Sequence, residues 1–276
     1  MQYNVYFIEL LGEENLKGVT IPVVVDNRRT LTNENMADIG KILNTYRTVF
    51  VRSNVSDILK TKVYSTKGET SDCLYASVAA IYTLTESNYI REIESGERYI
   101  TLDTENCKNK ISITYGDMTP IGITHEITLE SLKSIDKEDF ENYSVEKLEN
   151  IEDPLEGTKF YYTEDSMTFS ALRKKRVDLG EMDQEYLIVY YDREFDMVFF
   201  HVERAPMDSG HKLDSRTQIS YITRYLLNMG VKKEKISKIC HVLNTGQYAI
   251  LDIDIEEDKI FIKMNARTLV EGILNI

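Results

Sequence analysis

Residues 69–84, ETSDCLYASVAAIYTL, place one thiol, Cys73, directly after Ser71 and Asp72 and ahead of a run of small and apolar residues. Serine and aspartate cap helices well. Ala76, Val78, Ala79, Ile81 and Leu84 suit a buried helix, so the stretch predicts a helix that starts beside the cysteine. A thiol at the positive end of a helix dipole has a lowered pKa, which raises its thiolate fraction and makes it a candidate base. The same side chain is equally at home as a small buried residue, since free cysteine is among the most buried types. The sequence leaves both readings open.

Other reactive side chains are less organised. Thr217 and Ser77 read as hydrogen-bonding residues at helix starts, because no histidine has an evident spacing from either. Asp214 precedes a second helical stretch, TQISYITRYLLNMG, where helix capping is an ordinary role for aspartate. His125, His201, His211 and His241 form neither HxxxH nor HxH, so no metal site is expected. Arg173-Lys174-Lys175-Arg176 is a basic run in an acidic chain and reads as a solvated loop.

The whole chain bounds what these residues can do. Its 276 residues predict one large or two medium domains. A hydrophobic content of 42% supplies a core, and four prolines are too few for a disordered chain. Lys+Arg 33 against Asp+Glu 46 gives a formal net charge of -13, which disfavours nucleic acid and anionic membranes as partners. The three cysteines, Cys73, Cys107 and Cys240, form no CxxC and are expected as reduced thiols in a cytoplasmic protein. The opening MQYNVYFIELLGEEN has no basic n-region and does not read as a signal peptide. Apolar runs such as IPVVV and YLIVYY are too short to span a bilayer.

Strand and helix signals alternate along the chain. YNVYFIEL, GVTIPVVVD, TVFVRS, KTKVYST, RYITLDT, CKNKISITYG and ITHEITL read as strands. LTNENMADIGKILN between them reads as a helix, with Thr32 as N-cap and Met36, Ile39, Ile42 and Leu43 at helical spacing. Residues 131–157 are dense in charge and mark the expected boundary between an N-terminal half, 1–130, and a C-terminal half, 158–276. In the second half, FYYTED, EYLIVYYD and MVFFHVERA precede the TQISYITRYLLNMG helix, for which Gly230 is a natural stop. KICHVLN, YAILDIDIEED, KIFIKMN and TLVEGILNI then read as short strands of a closed or strongly curved sheet, the last of them free to cross back to the first half. The halves repeat weakly. Counting from Cys73 and from Thr217, both helices place a small residue at the third position on (Ala76, Ser220) and a β-branched one at the fifth (Val78, Ile222).

This order of motifs resembles the phenazine-biosynthesis PhzF-like family of the diaminopimelate epimerase superfamily, over most of the chain. LTNENMADIGKILNTYRTVFV is similar to the family's stretch ending in Ser-Glu-Thr-x-Phe-Val, and KTKVYSTKGETSDCLYASVAA to its strand and AGHPTxGAA helix start. KLDSRTQISYITRYL is similar to the EDPATGSA helix start, and the last strands to the family's closing strands. The resemblance implies an α+β, diaminopimelate epimerase-like fold: two pseudo-symmetric halves, each a curved sheet around one long central helix. The active site would lie in the cleft between the halves, and the resemblance also implies a homodimer.

Carried across residue by residue, the resemblance is uneven. The family's catalytic glutamate falls on Arg47, which stays protonated and so cannot be a general base. Its Gly-Asn-Pro turn falls on Gly18-Val19-Thr20, and AGHPT on Cys73-Leu74-Tyr75-Ala76-Ser77. EDPATGSA falls on Leu213 to Ser220, keeping Asp214 and Thr217. In the related epimerases one catalytic cysteine follows a glutamate by four residues, as Cys73 follows Glu69, and the second falls on Thr217. The implied function is a cofactor-independent isomerase or epimerase moving a proton on a small amino-acid-derived acid. Cys73, Asp214 and Thr217 would be catalytic, and Arg47, Gly18, Tyr75, Ser77 and Gln218 would hold a small-molecule carboxylate. The alternatives are an inactive binding or scaffold protein and a dehydratase with a single cysteine or threonine base.

Overall fold

The computed structural model describes residues 1–10, 18–52, 58–66, 68–70, 74–90, 96–104, 107–116, 119–128, 158–174, 185–204, 215–243, 246–257 and 259–276. In chain order the elements are β1 (Gln2–Leu10), β2 (Val19–Val25), α1 (Asn33–Leu43), β3 (Thr48–Arg52), β4 (Ile58–Ser65), β5 (Gly68–Glu69), α2 (Leu74–Glu86), β6 (Gly96–Thr104), β7 (Cys107–Gly116) and β8 (Thr119–Thr128). There follow β9 (Thr158–Thr163), α3 (Ser166–Lys174), β10 (Glu185–Asp192), β11 (Met197–Arg204), α4 (Ser215–Asn228), β12 (Lys238–Val242), β13 (Tyr248–Glu256), β14 (Lys259–Met264) and β15 (Ala266–Asn275). The chain divides into two compact units, Met1–Glu126 with Ile262–Ile276, and Ile127–Phe261. The charged connection expected over 131–157 lies outside the described residues.

Both units repeat one string of strand pairings. In the first, β2 and β3 are parallel with α1 between them, β3 and β4 are antiparallel, β4 and β6 are parallel with α2 between them, and β6 and β7 are antiparallel. In the second, β9 and β10 are parallel across α3, β10 and β11 antiparallel, β11 and β12 parallel across α4, and β12 and β13 antiparallel. Each helix is thus the crossover that a parallel pair requires. The first unit adds β1, antiparallel to β2, and β15, antiparallel to β1. The weak sequence repeat coincides with a repeat of burial: Ala76 and Ser220, and Val78 and Ile222, are all buried in their helices.

The two helices of the first unit explain its strand sequences. β2 is buried on both faces, so IPVVV reads as a continuous apolar run rather than an alternating one. Val24 joins Tyr3, Val5, Leu31, Met36, Ile39, Phe50 and Tyr64 in the cluster under α1. α2 packs against β15, β1, β2 and β3. Its residues from Leu74 to Ile81 are all buried, which is why LYASVAAI has no polar stripe. Burying one such leucine contributes roughly 1.5–3 kcal/mol.

Helix ends follow ordinary capping chemistry. Thr32 caps α1 as expected: the Asn35 N–H donates to Thr32 Oγ1 at 3.2 Å, and the Thr32 N–H to Asn35 Oδ1 at 3.4 Å. The helix ends on Asn44 in the left-handed region, φ 48°. After α4, Gly230 at φ 85° stops the chain as expected. α3 was not expected. Asp165 caps it, accepting from the Thr168 N–H at 2.8 Å and the Thr168 hydroxyl at 2.5 Å. Arg173 and Lys174 therefore close a helix rather than begin a loop, with the Arg173 guanidinium 5.7 Å from the Phe169 ring centroid. Lys175 and Arg176 lie outside the described residues.

Candidate functional site

The first turn of α2 and the residues before β3 form one packed group. Arg47, immediately ahead of β3, is only 5% exposed. Its Nη1 donates to the Tyr46 carbonyl at 2.8 Å, and its guanidinium carbon lies 4.1 Å from the centroid of the Tyr46 ring. The Tyr46 ring meets Tyr75 edge-on, centroids 6.1 Å apart at 67°. Tyr75 is the second residue of α2 and is buried, as is Leu74 before it. The Thr45 hydroxyl donates to the Arg47 carbonyl at 2.9 Å, fixing the backbone under the guanidinium. A cation against a ring face, an aromatic edge contact and a buried helix start thus reinforce one another.

The remaining sequence-predicted residues fall into three groups. Ser77, in the first turn of α2, is fully buried. Gly18 is buried where β2 begins, and a Cβ there would collide with the Leu10 carbonyl and the Glu9 side chain. Close backbone approach therefore requires glycine at this position. Thr217 and Gln218 belong to the first turn of α4, with Thr217 half-buried and Gln218 fully buried. Cys73 and Asp214, which directly precede α2 and α4 in sequence, lie outside the described residues. Neither α2 nor α4 has an acidic residue in its first turn, so neither positive helix end is offset from within the helix.

Two histidines are explained by packing. His201 is buried and its Nδ1 lies 2.7 Å from the Val242 carbonyl, which can only accept, so Nδ1 carries the proton. His241 stacks on Phe200 with ring centroids 4.2 Å apart. Among the described residues no group of three or more histidine, cysteine, aspartate or glutamate side chains could hold a metal ion. No helix of the described residues is long and apolar enough to cross a membrane.

Sequence reasoning missed a buried carboxylate. Asp26, at the end of β2, has no exposed surface; it accepts from the Thr30 N–H at 3.0 Å and the Leu31 N–H at 3.1 Å, and pairs with Arg52 Nε at 3.6 Å. It organises the loop into α1. A row of tyrosine–carboxylate contacts was also missed. Tyr162 donates to Glu164, Tyr190 to Asp192 and Tyr191 to Asp196. Burial and then the facing carboxylates push Tyr190 and Tyr191 up to about 12. These phenols stay protonated at any physiological pH and act as donors, not bases.

The strand pairings and helices are those of an α+β, diaminopimelate epimerase-like fold, with two pseudo-symmetric halves each built on a long buried helix. The chain resembles a phenazine biosynthesis protein of the PhzF family from Enterococcus faecalis with a TM-score of 0.67 at 14% identity, covering 100% of both chains. It resembles a Clostridium difficile protein named after PhzC/PhzF of phenazine biosynthesis with a TM-score of 0.66 at 14% identity, over 99% of this chain and 100% of that one. A hydroxyproline epimerase from Agrobacterium vitis, with bound trans-4-hydroxy-L-proline, matches at a TM-score of 0.54 and 10% identity, over 99% of this chain and 92% of that one. At these identities the likeness is one of fold. The sequence matches no family model and no curated protein.

Proposed function

We propose that this protein is a cofactor-independent isomerase or epimerase of the PhzF-like kind, acting on a small amino-acid-derived acid by proton transfer, with Cys73 as the base. The single observation that carries the reading is the position of Arg47. The residue aligned with the family's glutamate is a buried guanidinium held by Tyr46, which cannot take a proton. The base must therefore come from elsewhere, and the thiol ahead of α2 is the candidate, next to a first helical turn that holds no acidic residue. Arg47 would then bind the substrate carboxylate, for which a guanidinium supplies parallel donors. Ser77, Tyr75 and Gly18 are proposed with it. Asp214, Thr217 and Gln218, at the start of the equivalent helix, are proposed as assisting groups. A cytoplasmic homodimer completes the proposal, and sedimentation velocity reads its size.

A second reading has its own support. Leu74 and Tyr75 put bulk where the family motif has glycine and histidine, and both are buried; Val19 in the same unit and Ile219 in the other unit are each buried too. Such filling favours an inactive binding protein. Fold alone does not decide between the two.

The test is exchange in D₂O with pooled amino, imino and small biosynthetic acids, each α-proton being followed by NMR and mass. Deuterium entering one compound, and ceasing to enter it in Cys73→Ala, is the expected result. No exchange across the pool would overturn the enzyme reading and leave the binding protein. Release of a dehydrated product without racemisation would instead identify a single-base dehydratase.

A further inference from the structure

We propose that Tyr46 is a positioning residue: it sets the direction of the Arg47 guanidinium and through it the docking of a substrate carboxylate, which rests on the reading above. Tyr46 holds its neighbour from two sides. Its carbonyl accepts from Nη1 at 2.8 Å, and its ring lies 4.1 Å from the guanidinium carbon. A hydrogen bond fixes one edge of the guanidinium, and the ring contact restricts the remaining rotation of a long side chain.

Tyr46 is itself held. Its ring abuts Tyr75, which is 1% exposed in the first turn of α2, and the Thr45 hydroxyl ties the Arg47 backbone at 2.9 Å. The direction of the guanidinium is thus referred to the start of the buried helix rather than to a loop. The ring contact is the part that substitution can remove, because the backbone carbonyl remains in every variant. A preorganised guanidinium loses less freedom when it meets a planar carboxylate, so affinity should follow the ring rather than the hydroxyl.

The experiment uses the full chain with isotope-labelled arginine. Arg47 side-chain signals are assigned by their absence in Arg47→Lys. Ring-current-shifted Arg47 protons are expected in the wild type and in Tyr46→Phe, and unshifted ones in Tyr46→Leu. Arg47 signals identical in all three proteins would overturn the positioning role. Tyr46→His keeps a smaller ring and serves if the leucine variant does not fold. A parallel titration uses L-proline as the probe acid. Weakening of about tenfold in Tyr46→Leu, with Tyr46→Phe within about twofold of wild type, is expected. Equal affinity in all variants would overturn the role in docking even if the shift changes. Absence of any proline binding by wild type, with the ring-current pattern intact, would overturn the docking of this imino acid at Arg47 while leaving the geometry of Tyr46 and the wider enzyme reading standing.

Discussion

The first parallel pair of each unit ends in a carboxylate and an arginine, but the two pairs sit in opposite environments. Asp26 with Arg52 closes β2 and β3, and the aspartate has no exposed surface. Glu164 with Arg193 closes β9 and β10, and its side chains are 39% and 70% exposed. The connections explain the difference. After β2 the chain makes a loop before α1, and Asp26 is enclosed because it accepts that loop's N–H groups. After β9, Asp165 caps α3 almost at once, so no loop remains to enclose Glu164. The same topology therefore asks for the same charge pair, while loop length decides whether the pair is structural or merely superficial.

The helix starts differ in the same way. α2 opens on Leu74 and Tyr75, and α4 on Ser215, Arg216 and Thr217. Leu74→Ala should cost about 3 kcal/mol in urea unfolding, through lost burial and the cavity left behind. Ser215→Ala should cost about 1 kcal/mol, the scale of one capping or hydrogen-bonding group. Equal costs would mean that the two starts are built alike after all.

The charge pairs provide a smaller contrast. Asp26→Asn should lower stability by about 2 kcal/mol, because it removes the charge of a buried carboxylate paired with half-buried Arg52 and disturbs the two N–H hydrogen bonds that the carboxylate accepts. Glu164→Gln should change it by less than about 1 kcal/mol, as exposed pairs do. Urea midpoints at neutral pH read both, and a large Glu164 effect would break the comparison.

The caps provide the smallest contrast, visible in pH dependence. Hydrogen bonds from the Thr168 hydroxyl and N–H hold the Asp165 carboxyl below its ordinary value. A carboxyl with a depressed folded pKa stabilises above its unfolded pKa and loses that contribution as pH falls through the folded one. The Asp165 contribution should therefore be complete above about pH 4 and fade below it. Asp165→Asn should remove that fading, whereas Thr32→Ala should lower stability equally at pH 3 and pH 7.

Much of this fold was legible because its strands are rich in β-branched and aromatic residues and are separated by clear helix signals. Thr32 and Gly230 announced their helix ends by residue type alone. α3 was not legible, since SMTFSALRK is short and mixes hydroxyls with one aromatic, and its stability comes from the Asp165 cap and the packing of Phe169 against Ile188, Cys240 and Val242. At the candidate site, the sequence showed Arg47 beside Tyr46 but not that Tyr46 holds it. Adjacent Tyr46-Arg47 was the available signal, and only tertiary packing against Tyr75 gives it meaning. Asp26 was passed over because an aspartate after a strand reads as a turn residue, and neither the loop N–H groups that enclose it nor the distant Arg52 that pairs with it is visible in sequence.

The central claim is that the residue ahead of α2 is a thiolate base. It is tested most directly by alkylating the intact protein with iodoacetamide across pH 5–10 and following the Cys73 peptide by mass spectrometry. Half-maximal reactivity well below the ordinary thiol value of about 8.5 is the predicted result. A Cys73 that reacts only at or above that value, or as slowly as buried Cys240, would contradict the account.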